Sequence, residues 1–176
     1  MWLRTQYDPF NARCRHMSNT IRLRNVEPDD LPIFFEQQLD SDAARMAGFA
    51  SRNRAAFDSH WAKNILGNPT AVTRTILLAG KVVGNIGSWR QDAVRFVGYW
   101  IGKEYWGRGI ATQALASMLR VVTERPIRAH VVKHNLASIR VLEKCGFKLE
   151  DEDGDELTFV LLSDLRPTEA VENLSG

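Results

Sequence analysis

Residues 102–111, GKEYWGRGIA, separate the most apolar strand-like segment of the chain, AVRFVGYWI at 93–101, from its clearest amphipathic helix pattern at 108–124. Glycines in such a position let the backbone turn so that its N–H groups converge. The first turn of a helix adds unpaired N–H donors and a partial positive charge. The stretch therefore predicts a phosphate-binding loop between a central strand and a helix.

The elements that follow this loop predict a parallel strand pair. After the helix, the β-branched run IRAHVV at 127–132 is typical of a strand. A strand, a helix and a strand in succession form a βαβ unit with a right-handed crossover. A further helix is predicted over 135–145, with Asn135 as its N-cap and Gly146 as the left-handed residue that ends it.

The rest of the chain supplies antiparallel strands and two more helices, which makes the fold class α/β with a mixed sheet and about four helices. Alternating apolar and polar residues predict a strand from Thr20, and the Ala79-Gly80 turn predicts a hairpin over 71–89. The other predicted elements are helices over 28–39 and 55–66 and two final strands, FKLED and ELTFVLL, around an acidic turn.

Length and composition are those of one globular domain, with 176 residues, 44% apolar and 25% charged. No apolar run reaches the length of a membrane span and residues 1–16 lack the apolar stretch of a signal peptide, so a cytoplasmic protein is expected. We expect residues 1–16 to be a disordered arm, 17–165 a single domain and 166–176 a tail. Because Cys14 and Cys145 form neither a disulfide framework nor a metal cluster, no metal is expected.

Charge is segregated along the chain, although the net charge is only +2. Residues 81–148 carry twelve basic and four acidic side chains, whereas residues 149–176 carry one basic and nine acidic. A basic segment in a nearly neutral protein favours an anionic ligand over nucleic acid, which usually binds to a domain that is basic overall. No nucleic-acid or membrane partner is therefore expected.

Two common nucleotide-binding loops do not fit residues 102–111. Gly102 and Gly107 have the spacing of a P-loop, but Arg108-Gly109 stands where a P-loop has the Lys and Ser or Thr that contact phosphate and Mg²⁺. The glycines also miss the G-x-G-x-x-G spacing of a dinucleotide-binding loop. The alternative without a ligand is that they form a tight turn only.

A second segment of matching character follows the next strand, and together the two resemble a known family. YWGRGIATQAL at 105–115 and NLASIRVLEKCGF at 135–147 resemble the two signature motifs of the GNAT superfamily of acetyl-CoA-dependent N-acetyltransferases, in particular its RimJ/RimL-like branch. The Q/R-x-x-G-x-G/A pattern of the superfamily falls on residues 106–111, where Trp106 replaces the usual Gln or Arg.

The resemblance implies acetyl-CoA as the acyl donor and a place for it. The fourth and fifth strands are expected to splay apart, with the pantetheine arm of coenzyme A in the gap. Trp100 and Ile101 would offer backbone pairing to pantetheine. Asn135 and Ser138 would lie beside it. The pyrophosphate would lie against Trp106, Gly107, Arg108, Gly109, Ile110 and Ala111. The basic segment 81–148 agrees, because coenzyme A is a polyanion.

The resemblance also implies that the amine attacks the thioester directly in a ternary complex, without an acyl-enzyme. The usual proton donor of the family, a Tyr seven residues after the motif Asn, is Leu142 in this chain. Ser138 is the candidate substitute, and its alternative role is to cap the helix. Tyr99 is the second candidate catalytic residue, which would orient the acceptor or a water unless it only packs in the core.

A general base is not evident in the sequence. His130 and His134 share a face if both lie on one strand, but a strand histidine is more often structural. A weak base favours an α-amine, with a pKa near ~8, over a Lys amine near ~10.4. The acidic run at 150–156 either attracts a cationic acceptor or forms a solvated turn.

The predicted acceptor is therefore the N-terminal α-amine of a protein or peptide. Two alternatives remain open. One is a small-molecule amine, such as an aminoglycoside, a polyamine or an amino-acid-like compound. The other is a non-catalytic acyl-CoA-binding module. A monomer and a homodimer both fit the sequence.

Overall fold

The computed structural model describes residues 20–163, so the expectations for residues 1–16 and 166–176 lie outside the described residues. A seven-stranded sheet forms the centre of the molecule, in the order β1-β2-β3-β4-β5-β7-β6. Its strands are β1 (Ile21–Asn25), β2 (Val72–Leu78), β3 (Lys81–Gln91), β4 (Val94–Ile101), β5 (Ile127–Val132), β6 (Lys148–Asp153) and β7 (Glu156–Leu161).

Within residues 20–163 five α-helices flank this sheet, and none of them is long and apolar enough to cross a membrane. A π-helical segment, Trp61–Leu66, directly continues the third helix, and a 3₁₀ turn, Lys103–Tyr105, follows β4. The α-helices are α1 (Asp30–Leu39), α2 (Ser41–Met46), α3 (Arg54–His60), α4 (Ile110–Val121) and α5 (Leu136–Lys144).

The fourth and fifth strands form a wedge. β4 and β5 are parallel, and they pair at two positions, Arg95 with Ile127 and Phe96 with Arg128. Beyond Phe96, β4 continues to Ile101 along β3, while β5 continues along β7. The two strands therefore separate toward their C-terminal ends. This confirms the predicted mixed sheet and its splay.

α4 packs on the sheet through a continuous apolar stripe. Ala114, Leu115 and Met118 are 0% exposed, in one cluster with the strand residues Ile86 and Ile127. Burying a Leu or Met side chain contributes about 1.5–3 kcal/mol. Because only a short loop joins β4 to α4, this packing places the N-terminus of α4 at the open end of the wedge.

A buried ion pair fixes the first turn of α1 to β1 and β2. Asp30 is 2% exposed and accepts hydrogen bonds from Arg24 at 2.6 and 2.7 Å and from the Thr75 hydroxyl at 2.6 Å. The Glu27 N–H donates a further bond at 2.9 Å. Burial alone would raise the pKa of Asp30, but these hydrogen bonds together lower it. The carboxylate is therefore charged and fully bonded.

Three helical features differ from the sequence expectation. α2 was not predicted, because SDAARM is too short to show an apolar period; the Asp40 side chain caps it by accepting from Asp42 N and Ala43 N. The helix predicted over 55–66 changes to π-helical geometry at Trp61. The helix predicted over 108–124 begins only at Ile110, since the backbone before it is left-handed.

One expectation about the last strands was wrong: β5 ends at Val132, so His134 lies in the following turn and does not share a strand face with His130. The two predicted final strands are confirmed as β6 and β7. β6 extends to Asp153, so most of the acidic run at 150–156 is strand and the turn between them covers 154–155 only. The carboxylates of this run pair with basic side chains on and beside β5, as Arg128 with Glu150, Lys133 with Glu152 and His130 with Glu156. Some of the acidic side chains near the C-terminal end of the chain therefore neutralise basic side chains of the preceding segment and are not available to a ligand.

Candidate active site

The loop after β4 has the backbone conformation that its glycines predict. Gly107 and Gly109 have φ angles of 74° and 72°, and a side chain at either position would meet nothing within 4 Å. Gly109 is the N-cap of α4, and its carbonyl accepts from Gln113 N at 3.2 Å. The N–H groups of the three residues between Gly109 and Gln113 have no carbonyl partner within the helix, because they lie in its first turn. They form an end of the helix that favours an anion.

An open cavity of about 330 Å³ lies beside this helix end. Its walls come from α2, the end of β4, the glycine loop, the first turn of α4 and α5. Arg108, Arg140 and Lys144 line it, and among the described residues no Asp or Glu does. Nor is any group of three or more His, Cys, Asp or Glu in residues 20–163 placed to hold a metal ion. The cavity suits a phosphate-bearing ligand.

The structure brings all the residues predicted to bind the cofactor to this one cavity, together with the candidate catalytic Tyr99. They are Trp100, Ile101, Trp106, Gly107, Arg108, Gly109, Ile110, Ala111, Asn135 and Ser138. Sequence reasoning missed the wall that α2 provides through Ala43, Met46 and Ala47. These small or flexible apolar residues carry no motif that would have identified them.

Trp106 closes the glycine loop onto the end of β4. Its indole Nε1 donates a hydrogen bond to the Ile101 carbonyl at 2.9 Å, while the residue remains 42% exposed. This bond uses one of the two lone pairs of that carbonyl. Arg108 lies beside it, with its guanidinium carbon 5.6 Å from the centre of the Tyr105 ring. Trp106, which replaces the usual Gln or Arg, thus links the glycine loop to the last residue of β4.

Asn135 uses both ends of its side-chain amide within the protein. Its Oδ1 accepts from Ser138 N at 3.0 Å and caps α5, as predicted, and its Nδ2 donates to the Met46 carbonyl at 2.7 Å. The neighbouring His134 Nε2 donates to the Arg45 carbonyl at 2.8 Å. The loop between β5 and α5 therefore holds the C-terminal end of α2 against the cavity.

The N-terminal end of α2 is bound to the other loop. Lys103 Nζ lies 2.5 Å from Asp42 Oδ2 and 3.6 Å from Asp40 Oδ2. The hydrogen bond from Lys103 lowers the pKa of Asp42, and the same bond raises the pKa of Lys103. α2 therefore bridges the glycine loop and the Asn135 loop, the two segments that the sequence motifs mark.

Tyr99 contributes a neutral hydroxyl to the cavity. Its oxygen is buried and has no well-formed hydrogen bond within the described residues. Burial raises the pKa of Tyr99 to about 12, and the nearby Ser138 hydroxyl opposes that shift. At neutral pH Tyr99 therefore keeps its proton, so it can donate a hydrogen bond but cannot serve as a base.

The position of the usual family tyrosine does not face the cavity. Leu142 is 2% exposed and packs in the main core with Phe147. Cys145 is half-buried and its thiol donates to the Thr112 carbonyl at 3.7 Å. Burial raises the pKa of the Cys145 thiol, which keeps it protonated and a poor nucleophile. Tyr99 and Ser138, the two residues that the sequence marks as candidate catalytic groups, thus place their hydroxyls in the lining of the cavity, which also includes Tyr105 and Thr112.

A second cavity, of about 270 Å³, meets the first at Tyr99 and Trp100, which line both. Arg52 and His60 are the basic side chains in its described lining, and no Asp or Glu lines it. Burial lowers the pKa of His60, with a further contribution from Arg52, so the ring is neutral at pH 7. The lining is otherwise largely aromatic, with Phe34, Phe49, Phe57, Trp61 and Trp89.

The solved structures most similar in shape include three acetyltransferases. The aminoglycoside acetyltransferase AAC(6')-Ib in complex with coenzyme A is 19% identical, with a TM-score of 0.69 over 81% of this chain and 95% of that chain. RimL, a ribosomal α-N-protein acetyltransferase in complex with coenzyme A, is 19% identical, with a TM-score of 0.70 over 84% and 97%. Spermidine N-acetyltransferase from Vibrio cholerae, with coenzyme A and spermine, is 17% identical, with a TM-score of 0.71 over 81% and 95%.

At these identities the structural similarity shows a shared fold, and the family follows from the sequence match. No curated protein sequence matches the chain. The family described as the acetyltransferase (GNAT) domain matches residues 20–148, which is most of the chain and includes both the glycine loop and the Asn135 loop. The chain therefore belongs to the GNAT acetyltransferase family and is an acetyl-CoA-dependent N-acetyltransferase.

Proposed function

We propose that this protein transfers an acetyl group from acetyl-CoA to the α-amine of a peptide or protein, by direct attack in a ternary complex. The observation that carries the proposal is that two chemically different cavities meet at Tyr99 and Trp100. One is cationic and bordered by a glycine loop, and the other is aromatic. An anionic donor and an amine acceptor can therefore occupy separate sites and react where the sites meet.

The donor would lie in the wedge between β4 and β5. The backbone N–H groups from Gly107 into the first turn of α4 would bind the pyrophosphate, and Arg108, Arg140 and Lys144 would offset its charge. Beyond Phe96, the edge of β4 that faces β5 has no strand partner in the described residues. Its backbone groups can therefore pair with the amides of the pantetheine arm.

The reaction needs hydroxyl donors where the thioester would lie. The amine nitrogen bonds to the carbonyl carbon, the C–S bond breaks, and one proton of the amine ends on the sulfur of coenzyme A. Tyr99, whose pKa burial raises to about 12, would donate a hydrogen bond to the negative charge that develops. The Ser138 hydroxyl both accepts and donates, so it can relay the amine proton to the departing thiolate.

The described lining of the two cavities offers no carboxylate base, which favours an acceptor amine that is partly neutral at pH 7 by virtue of its own pKa. None of the described residues that line the two cavities is Asp or Glu. His60 is a poor base here, because the Asn64 amide nitrogen donates to its Nδ1 at 3.2 Å and the ring proton is then on Nε2. An α-amine with a pKa near ~8 is about one-tenth neutral at pH 7, against less than about one-thousandth for a Lys side chain.

The RimJ/RimL-like branch remains a prediction from the two sequence motifs. RimL, an α-N-protein acetyltransferase, shares the fold at a TM-score of 0.70, and the aminoglycoside and spermidine acetyltransferases share it at similar values. What supports an α-amine acceptor is therefore chemical: the described lining of the two cavities contains no Asp or Glu that could serve as a base.

Release of free thiol from acetyl-CoA in the presence of amines tests the proposal. We expect peptides with a free α-amine to be acetylated, and the same peptides with a blocked N-terminus and a free Lys to be unreactive. Ser138→Ala should lower kcat by about 100-fold or more, as expected for loss of a proton relay. Ser117→Ala, a matched serine on α4 outside both cavities, should leave kcat unchanged. Preferential acetylation of the Lys peptide would contradict the proposal.

A further inference from the structure

The aromatic cavity beside Tyr99 has the character of an acceptor pocket with a definite selectivity. We propose that it takes a peptide-like α-amine whose first side chain is aromatic or large and apolar, that the carboxylate of this acceptor pairs with Arg52, and that polycationic amines are excluded. This inference rests on the proposed function, because it places the reacting amine at Tyr99 and Ser138.

The walls of the pocket are built from rings in contact. The Phe34 and Trp61 rings stack with centroids 5.1 Å apart, and the Phe57 and Trp61 centroids are 5.8 Å apart. Phe34, Phe57 and Trp61 are 2%, 4% and 7% exposed, so they form a rigid apolar wall. On the other side, Phe49 meets Trp100 edge to face at 6.1 Å. Such a lining favours an aromatic or aliphatic group, which gains about 25 cal/mol for each Å² of apolar surface it buries.

The π-helical segment is part of this pocket. At Trp61 the hydrogen-bond pattern widens, and the Gly67 N–H bonds to the Ala62 carbonyl at 2.9 Å. Trp61 and Ile65, both on this segment, line the cavity. π-helical turns inside α-helices are frequent at functional sites, since they redirect side chains at a cost in backbone regularity. The π-helical geometry of residues 61–66 therefore orients side chains that line the pocket.

Arg52 is a positioned cation that has no carboxylate partner among residues 20–163. Its guanidinium carbon lies 4.6 Å from the centre of the Phe49 ring. Gln38 fixes the backbone at this point, since its Oε1 accepts from Arg52 N at 3.2 Å and its Nε2 donates to the Arg52 carbonyl at 2.8 Å. A guanidinium held this way is suited to a carboxylate of the ligand.

The same features act against a polycation. Two of the proteins that share the fold are described as complexes with polyamines or aminoglycosides, which carry several positive charges. In this chain the described lining of the cavity has no Asp or Glu, and Arg52 would repel such a ligand. A cation that leaves water without a counter-charge is strongly disfavoured. The positive charge of Arg52 would therefore favour an acceptor that carries a carboxylate and disfavour one that carries several positive charges.

Four acceptors separate the parts of this proposal: phenylalanyl-glycine, its C-terminal amide, alanyl-glycine and spermidine. The measured quantity is kcat/KM for thiol release at equal concentrations of neutral amine, so that differences in amine pKa cancel. We expect phenylalanyl-glycine to exceed its amide about tenfold or more, as for a charge-assisted hydrogen bond. It should exceed alanyl-glycine by about tenfold or more, because the ring is buried. Spermidine should be the poorest acceptor.

Arg52→Gln and Arg54→Gln form a matched pair of variants. Arg54 is close in sequence, but its guanidinium lies over Phe35 and bonds to Asp58 at 2.9 Å, and it does not line the cavity. We expect Arg52→Gln to reduce the preference for phenylalanyl-glycine over its amide to about one, with kcat/KM for the amide little changed, and Arg54→Gln to keep the preference. Because the bonds to Gln38 involve the Arg52 backbone, both variants should fold.

The outcomes distinguish this inference from the proposed function. If α-amines are acetylated but spermidine is the best acceptor, or if Arg52→Gln keeps the preference for the carboxylate, the inference is overturned and the α-amine acetyltransferase proposal stands. If no amine releases thiol from acetyl-CoA, both are overturned.

Discussion

Two variants, Gly109→Asp and Gly109→Asn, test whether the N-terminus of α4 binds the pyrophosphate. Their comparison isolates the effect of a negative charge, because the two side chains have nearly the same size and shape. Gly109 has φ of 72°, and a Cβ there would have nothing within 4 Å. Asp and Asn are nearly equal in size and are the non-glycine residues that best tolerate left-handed backbone. Both variants therefore share a strain of about 1 kcal/mol, and they differ by one negative charge.

The magnitude follows from Coulomb's law. A carboxylate about 5 Å from one phosphate charge repels it by about 0.8 kcal/mol at the dielectric constant of water and about 3 kcal/mol at an effective value of 20. Because Gly109 is exposed in the free protein but would be covered by the donor, we expect an intermediate value. Gly109→Asp should bind acetyl-CoA about 10- to 100-fold more weakly than Gly109→Asn, and added salt should narrow the difference.

The assay is titration calorimetry of acetyl-CoA at low and high salt, with thermal unfolding as the control. Without ligand the Asp variant should be at least as stable as the Asn variant, since a carboxylate at a helix N-terminus contributes about 0.3–1 kcal/mol. If Gly109→Asp binds acetyl-CoA weakly but unfolds at the same temperature as Gly109→Asn or higher, the loss of binding comes from the added charge and not from damage to the fold. Equal dissociation constants for the two variants would refute the placement of the pyrophosphate at this loop.

Three further predictions concern single residues. Asp30→Asn should lower the free energy of unfolding by about 2–4 kcal/mol in urea titrations. Because its pKa is lowered in the folded state, the wild-type protein should lose this contribution as pH falls below about 4 and the variant should not. Tyr99→Phe should lower kcat without changing the shape of the pH profile up to about pH 10, because the pKa of Tyr99 is about 12; a lost alkaline limb would contradict this. Asn135→Ala should speed hydrogen exchange in α2, because the bond to the Met46 carbonyl is removed, and unchanged exchange would show that this bond does not hold the helix.

The local signals in the sequence were sufficient for the loop and for the helix caps. Asn135 and Gly146 act as predicted because capping depends on neighbouring residues: the Asn135 side chain accepts from Ser138 N, and Gly146 has φ of 86°. The convergence of the two motifs on one cavity followed from the family resemblance rather than from periodicity. The prediction that β4 and β5 splay apart also came from the family resemblance.

Long-range contacts account for what sequence reasoning missed. α2 has no apolar period, and long-range bonds position it, among them the one from Asn135 to Met46, 89 residues apart in the chain, and the one from Lys103 to Asp42. The acidic run at 150–156 was considered as an attraction for a cationic acceptor, but none of its residues lines either cavity. Its Glu150 is paired with Arg128 across 22 positions of sequence. Neither the local sequence pattern nor the net charge of a segment indicates which residues pair over such distances in the chain.

A crystal structure of the protein with coenzyme A would locate the donor and its thiol. We expect the pyrophosphate within hydrogen-bond distance of the backbone N–H groups of residues 107–111. We also expect the pantetheine arm along the edge of β4 that faces β5, and the sulfur beside Ser138 and beside Tyr99, at which the two cavities meet. Coenzyme A bound elsewhere, or with its sulfur remote from Tyr99, would contradict this placement.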